Sequence, residues 1–466
     1  MHSLSRQLIV LTILFISIFC TQATATSEGF SRAVVLDDLS ALRDSIRATH
    51  YDPFAYTSEA TFEARYQQLA QSIVKPNYSL LETVNLYQSL ISTIKNGHSE
   101  LDFPVQPYLQ YAENGGTIFP LEIAFEHDKP LVRKNYSSDQ SIEIGAQIKS
   151  INGVAFADIL EQIYPLISAE RRYFKNSKLE LFSFPRYFWR AFGETKHYVV
   201  ELESNGVITS HRFDAVDVFS GFESIREEII GSNRYLKFFD DSAYLYIANF
   251  SGDEAEFKQF IDSSFAKIKQ KNIANLIIDL RNNAGGNDSH SDYLVSYLAD
   301  KPFKWHANFH LKTSKLLKQD TRKNRDLTNP YWQAIMAHED GSRFEYVVDS
   351  YQPQSEQKRF TGQAYVLINR QSHSQAAVTA AQIQDYGWAT LVGEETGDYP
   401  SLYASQFHYT LPKTGIFVKI SKGFIVRVNG SSKQQGVIAD IVIKDHLLDD
   451  NDEILDTLLK KISASK

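Results

Sequence analysis

The sequence predicts an α/β protein of several domains, and three observations lead there. From residue 235 onward strand-like and helix-like patterns alternate, the order that builds a sheet covered by helices. Ahead of it, residues 34–105 carry apolar positions at helical spacing, and residues 106–165 change to short strand-like runs. The 466 residues also exceed what one ordinary core accommodates. A hydrophobic content of 43% with 22% charged residues describes a soluble globular chain. The formal net charge of -8, with no long basic run, argues against nucleic acid or an anionic membrane as the main partner.

Residues 1–25 read as an export signal. His2 and Arg6 precede an apolar stretch over residues 8–20, and Ala23-Thr24-Ala25 is a small-x-small cleavage signal. The stretch is too short to span a bilayer comfortably, so no membrane anchor is expected after cleavage. Cys20 is the only cysteine, and the bulky Phe19 before it argues against lipid attachment. The mature chain would then have no thiol for a disulfide, a nucleophile or a cysteine-based zinc site. These features fit a bacterial periplasm or exterior.

In residues 34–105 Leu39, Leu42 and Ile46 mark a first helix, ended by Tyr51-Asp52-Pro53. Phe62, Tyr66 and Leu69 mark a second. Ser79-Leu80-Leu81-Glu82 is a capping box opening a third, which ends at Asn96-Gly97. His98 follows on the connection, outside any apolar stripe. In residues 106–165, runs over 118–123, 131–133 and 147–151 read as strands, and Asn152-Gly153 is a strong turn signal before a short helix over 156–163. The run Gly145-Ala146-Gln147-Ile148-Lys149-Ser150-Ile151-Asn152-Gly153 resembles a PDZ domain element. PDZ-type modules take an extended peptide as an added strand. Residues 166–234 begin aromatic and basic and turn strand-like near 198–203, a bridging segment with no assigned function.

In the α/β region, residues 235–466, Leu276-Ile277-Ile278-Asp279-Leu280 is a buried strand that runs into Arg281-Asn282-Asn283-Ala284-Gly285-Gly286, with a helix over about 290–299. Paired glycines between strand and helix let backbone come close to a ligand, or simply make a tight turn. The stretch from Gly362 to Pro400 is the centre of the region. A strand over 364–368 leads through a polar connection to an alanine- and glutamine-rich helix capped by Gly387, and a strand over 389–392 closes the unit. Ser374 stands at the mouth of that helix. Unpaired N–H groups and the positive dipole end favour negative charge there, as an attacking serine and its oxyanion require. A serine in this place is also commonly just the N-cap.

Together, Asp279-Leu280-Arg281-Asn282-Asn283-Ala284-Gly285-Gly286, Ser372-His373-Ser374, and Gly393-Glu394-Glu395-Thr396 resemble the tail-specific (C-terminal processing) serine proteases. Gly436-Val437-Ile438-Ala439-Asp440 is similar to their closing element, with alanine for proline. The resemblance covers about residues 235–443. It implies a crotonase-like α/β protease core acting on polypeptides, without a cofactor or metal. It puts the nucleophile on Ser374 rather than Ser372. The oxyanion hole would be a glycine N–H of Gly285-Gly286, Gly286 by the closer match, with the N–H of Gln375. In the better-known branch a lysine base follows the nucleophile, but the segment from Gly393 to Pro400 has none. The branch similar to the tricorn protease core uses a histidine from an N-terminal element, which Asn96-Gly97-His98-Ser99 matches apart from its first residue. His98 is therefore the expected general base. The carboxylate that orients the histidine would fall on Lys433, so the third member stays open among Glu394, Glu395, a backbone carbonyl and Ser99.

His306 and His310, four apart, would share a face if helical, but Ala307 stands where a metalloprotease helix needs glutamate. Asp449-Asp450-Asn451-Asp452-Glu453 lacks calcium-loop spacing and reads as the acidic start of the last helix. The expected protein is an exported serine peptidase. The alternative is a peptide-binding protein of the same fold with weak or absent hydrolysis.

Overall fold

Prolines, glycines and serine caps set most element boundaries in the computed structural model, which describes residues 29–464. The expected export signal lies outside the described residues. The chain divides into two units. One comprises Met1–Ala169, Phe182–Glu227 and Gln406–Ile420; the other comprises Glu170–Leu181, Glu228–Ser405 and Ser421–Lys466.

In the first unit, helices Arg32–Thr49, Glu59–Ser72 and Leu80–Ile91 each start at a serine whose side chain accepts a first-turn N–H, Ser31, Ser58 and Ser79. Ser79 and Glu82 form the expected capping box. Leu39, Leu42, Ile46, Phe62, Tyr87 and Leu90 make one core, joined by Leu411, Val418 and Ile420 from the returning segment. That return is fixed by Asp38, buried, which accepts the N–H groups of Lys413 and Thr414. An antiparallel sheet follows in the order Val207–Asp214, His197–Ser204, Gln147–Ile151, Lys129–Asn135, Leu121–Glu126. The strand expected over 118–123 is split into Thr117–Ile118 and Leu121–Glu126, because Pro120 has no N–H to give a ladder. Asn152 and Gly153, both at positive φ, make the expected turn before helix Phe156–Ile163.

The aromatic, basic start of the bridging segment folds as two helices, Arg172–Phe182, in the second unit up to Leu181, and Phe184–Phe192 in the first. Ser183 at φ 82 separates them. No helix among the described residues is long and apolar enough to cross a membrane.

The second unit is built on a six-stranded sheet, in the order Arg234–Phe239, Ser242–Ile247, Asn275–Asp279, Gln363–Ile368, Thr390–Gly393, Ile441–Val442. The first pair is antiparallel and the rest are parallel. Successive side chains point to opposite faces, which explains the unbroken apolar runs of the central strands. Ile278, Val366 and Leu391 face helices Glu254–Gln270, Asp288–Val295 and Gln375–Tyr386 in one core. Ile277, Leu367 and Val392 face Ile454, Leu458 and Ile462 of helix Glu453–Ala464 in the other. The acidic stretch before this last helix supplies Asp452, which pairs with Arg281 and accepts the Leu455 N–H. The structure is thus a mixed α/β fold. In such sheets, sites form beyond the carboxyl ends of the parallel strands, and three loops leave adjacent strands there: residues 280–286, 369–374 and 394–400.

The helix envisaged for His306 and His310 is absent. His310 lies in strand Phe309–Lys312 and His306 in the coil before it, so they share no helix face. Extended backbone wins because His310 pairs with Phe424 and Glu345 on its two sides.

Candidate active site

Two asparagines lock the first two loops together. Asn282, at φ 58, donates its N–H to Asn369 Oδ1 at 3.0 Å, and Asn369 Nδ2 donates to Asn282 Oδ1 at 2.9 Å. The His373 N–H reaches the Asn283 carbonyl at 3.1 Å. Ser372 is fully buried and donates its hydroxyl to the Leu280 carbonyl at 2.7 Å. Of the two serines in the element, Ser372 is therefore held in the scaffold.

Ser374 occupies the N-cap position of helix Gln375–Tyr386, yet its side chain makes no capping hydrogen bond. Its backbone sits at φ 56, ψ -131, a conformation that costs a non-glycine residue roughly 1–3 kcal/mol. Such strain persists only where neighbours impose it. Here the Ser374 carbonyl accepts from Val378 in the first helical turn, and the Ser374 N–H donates to Asp398 Oδ2 at 3.0 Å. The hydroxyl is thus turned away from the cap role that a helix-opening serine ordinarily plays.

Gly285, at φ 90, lies against this serine. A Cβ at Gly285 would stand 2.6 Å from Ser374 Cβ, 2.7 Å from the Gln375 nitrogen and 3.0 Å from Ser374 Oγ. Gly286, at φ 136, leaves no room either, since a Cβ there would stand 2.1 Å from the Phe250 carbonyl oxygen. The Gly285 N–H is committed to Asn283 Oδ1 at 2.8 Å. The N–H groups of Gly286 and of Gln375 have no acceptor among the described residues. Gly285, Gly286, Ser374 and Gln375 thus meet at one place in the second unit.

The third loop supplies Asp398, a residue to which the lysine-bearing pattern of that segment does not point. Asp398 is 1% exposed. Its Oδ2 accepts the Ser374 N–H, its Oδ1 accepts the Tyr399 N–H at 2.8 Å, and its carbonyl accepts the Thr396 hydroxyl. Burial pushes its carboxyl up to about 6, opposed by these N–H bonds and by the cations of Lys178 and Arg171. The signal in the sequence was an acid placed between the Gly-Glu-x-Thr element and a proline.

Both glutamates left open as orienting acids are engaged elsewhere. Glu394 is held by Arg370, which also pairs with the buried Glu180. Glu395 Oε1 accepts from Arg171 at 2.6 Å and from the Gly436 N–H at 2.9 Å. Lys433 is exposed.

His98 belongs to the first unit and is half-buried there. It sits in the turn between the 3₁₀ segment Ser92–Ile94 and strand Glu100–Leu101. Asn96 Oδ1 accepts the Ser99 hydroxyl at 2.7 Å, so Ser99 is committed within its own turn. The Leu101 N–H donates to Gln88 Oε1, and Gln406 Nε2 donates to the His98 carbonyl at 2.7 Å.

No curated protein matches the chain. Among solved structures, mature CPAF matches at 17% identity over 92% of this chain and 96% of its own, with a TM-score of 0.58. Mature CPAF complexed with lactacystin matches at 16% identity over 92% and 97%, with a TM-score of 0.59. These are likenesses of fold. Residues 241–443 match the model of peptidase family S41, a span that contains the paired glycines, Ser374 and Asp398. The match covers less than half of the chain, and it is this span that is similar to a peptidase family S41 domain.

Proposed function

We propose that the chain is an exported serine peptidase cleaving polypeptides internally, with Ser374 as nucleophile and His98 as general base. The observation that carries this reading is Ser374 itself: a helix-opening serine in a strained backbone, its hydroxyl making no cap, pressed against Gly285 inside an S41 domain. The Ser374 hydroxyl oxygen bonds to the peptide carbonyl carbon as its proton passes to the His98 imidazole. The oxyanion takes the N–H groups of Gly286 and Gln375, which have no other acceptor among the described residues. The imidazolium then protonates the leaving amine as the C–N bond breaks, and water repeats the sequence on the acyl-enzyme. The PDZ-like segment, residues 106–165, would present the polypeptide, and residues 1–25 would direct export to the periplasm or exterior.

A second reading, peptide binding with little turnover, is favoured by the orienting acid. Lys433 stands in its expected place, and Glu394 and Glu395 are both tied to arginines. A fluorophosphonate probe separates the two readings. The peptidase reading expects labelling of the wild type, lost in Ser374→Ala and lowered at least about 100-fold in His98→Ala. Peptide binding by wild type and Ser374→Ala alike, with no labelling and no turnover, would establish the binding protein instead.

A further inference from the structure

We infer that Asp398 is a positioning residue that clamps the Ser374 backbone through its N–H and so aims the hydroxyl. The inference rests on Ser374 being the nucleophile and adds a residue to that site. Its ground is geometric. The strained Ser374 backbone has four restraints: the helix takes its carbonyl, the Ala376 N–H takes the His373 carbonyl before it, Gly285 closes on its Cβ, and Asp398 Oδ2 takes its N–H. The bond at the Ser374 carbonyl and the glycine contact would both tolerate rotation of the peptide unit ahead of Ser374. That unit is held at its two ends, the His373 carbonyl by the Ala376 N–H at 3.1 Å and the Ser374 N–H by Asp398, which supplies the side-chain hold.

Asp398 is itself rigid. Its two oxygens serve two different N–H groups, Ser374 and Tyr399, and its carbonyl is tied to Thr396. The loop that bears it is pinned by Arg171, whose guanidinium reaches Glu395 and the carbonyls of Thr396 and Gly397. Gly397 has no room for a side chain, since a Cβ would stand 2.3 Å from the Arg370 carbonyl. Lys178, buried on helix Arg172–Phe182, and Arg171 favour the ionised form in which both oxygens accept. Glu170, of the same unit, brings a carboxylate oxygen within 4.8 Å of one of Asp398 and opposes it. A charge-assisted N–H bond of this kind is about twice as strong as a neutral one, on the scale of the strain it must hold.

Asparagine has the same shape but one acceptor oxygen for two N–H groups, and no charge. It removes a buried ion without opening a cavity. Asp398→Asn should therefore melt at or above the wild-type temperature, while labelling at Ser374 slows about tenfold and kcat falls with KM nearly unchanged. Asp398→Ala, which leaves both N–H groups without an acceptor, should slow labelling about 100-fold. A role limited to fold support would instead lower activity only as far as it lowers melting. Labelling of a folded Asp398→Asn at the wild-type rate would overturn the inference alone. A wild type that the probe does not label at all would overturn the nucleophile and this inference together.

Discussion

At the scale of single residues the site is a problem of space. Gly285 lies closer to Ser374 than any side chain permits, and its φ of 90 lies where residues with a Cβ are strained. Gly285→Ala must therefore push the helix mouth, with Ser374 and the Gln375 nitrogen, away from the paired-glycine loop. Displacements on the order of 1 Å at a reacting group cost about 100-fold. We expect Gly285→Ala to lose at least that much fluorophosphonate labelling, with a smaller effect on melting, since the contact lies at a loop tip. Retention of wild-type labelling would show that the glycine loop takes no part in the chemistry. The same reasoning favours Ser374 over Ser372 as the proposed nucleophile. The Ser372 hydroxyl already donates to the Leu280 carbonyl and accepts the Asn369 N–H, so it is committed as donor and acceptor alike.

At the scale of elements, helices Asp288–Val295 and Gln375–Tyr386 meet through a buried polar contact. Asp292, 3% exposed, accepts from Gln382 Nε2 at 3.1 Å, and burial pushes its carboxyl up to about 7. The sign follows from proton binding. Between the ordinary carboxylate range and about pH 7 the folded chain holds a proton that the unfolded chain has lost, so stability falls as pH rises through that window. Gln382 Oε1, buried and without a partner among the described residues, can accept from a protonated Asp292 or from an asparagine amide. Asp292→Asn should raise the melting temperature at pH 8, by an amount on the order of a few kcal/mol of stability, and the advantage should vanish near pH 4. Equal gains at both pH values would refute the burial argument. Elements of this kind were legible where local chemistry decides. The Ser79–Glu82 box, the strand 364–368, the helix opening at Ser374 and its Gly387 cap all read directly from the sequence. The helices Arg172–Phe182 and Phe184–Phe192 did not, because their aromatic residues suit strands as well and tertiary packing decided between them. Asp398 was hidden for a different reason: an N–H at Ser374 and an acid 24 positions later meet only once two parallel strands are side by side.

At the scale of the whole molecule, the proposed chemistry is shared by two parts of the chain that the sequence separates widely. The polypeptide passes from one unit to the other after Ala169, Leu181, Glu227, Ser405 and Ile420. The fourth passage brings Gln406 back to the first unit, where its amide donates to the His98 carbonyl and the following strand pairs Val418 and Lys419 with Leu101 and Glu100. The turn bearing His98 is thus held by residues more than 300 positions later, as the Gln406 contact spans 308. If His98 is the base, Gln406 acts through it. Gln406→Ala should then slow labelling about tenfold in an otherwise wild-type chain and add nothing in a His98→Ala background, because a residue acting only through another cannot be counted twice. Additive losses would mean that Gln406 contributes by a separate route and that the turn does not need it. The test also bears on why an S41 domain over residues 241–443 does not describe the protein by itself. The proposed nucleophile and the paired glycines lie within that span, whereas the imidazole proposed to take the proton lies ahead of it, in a turn that residues inside the span help to hold.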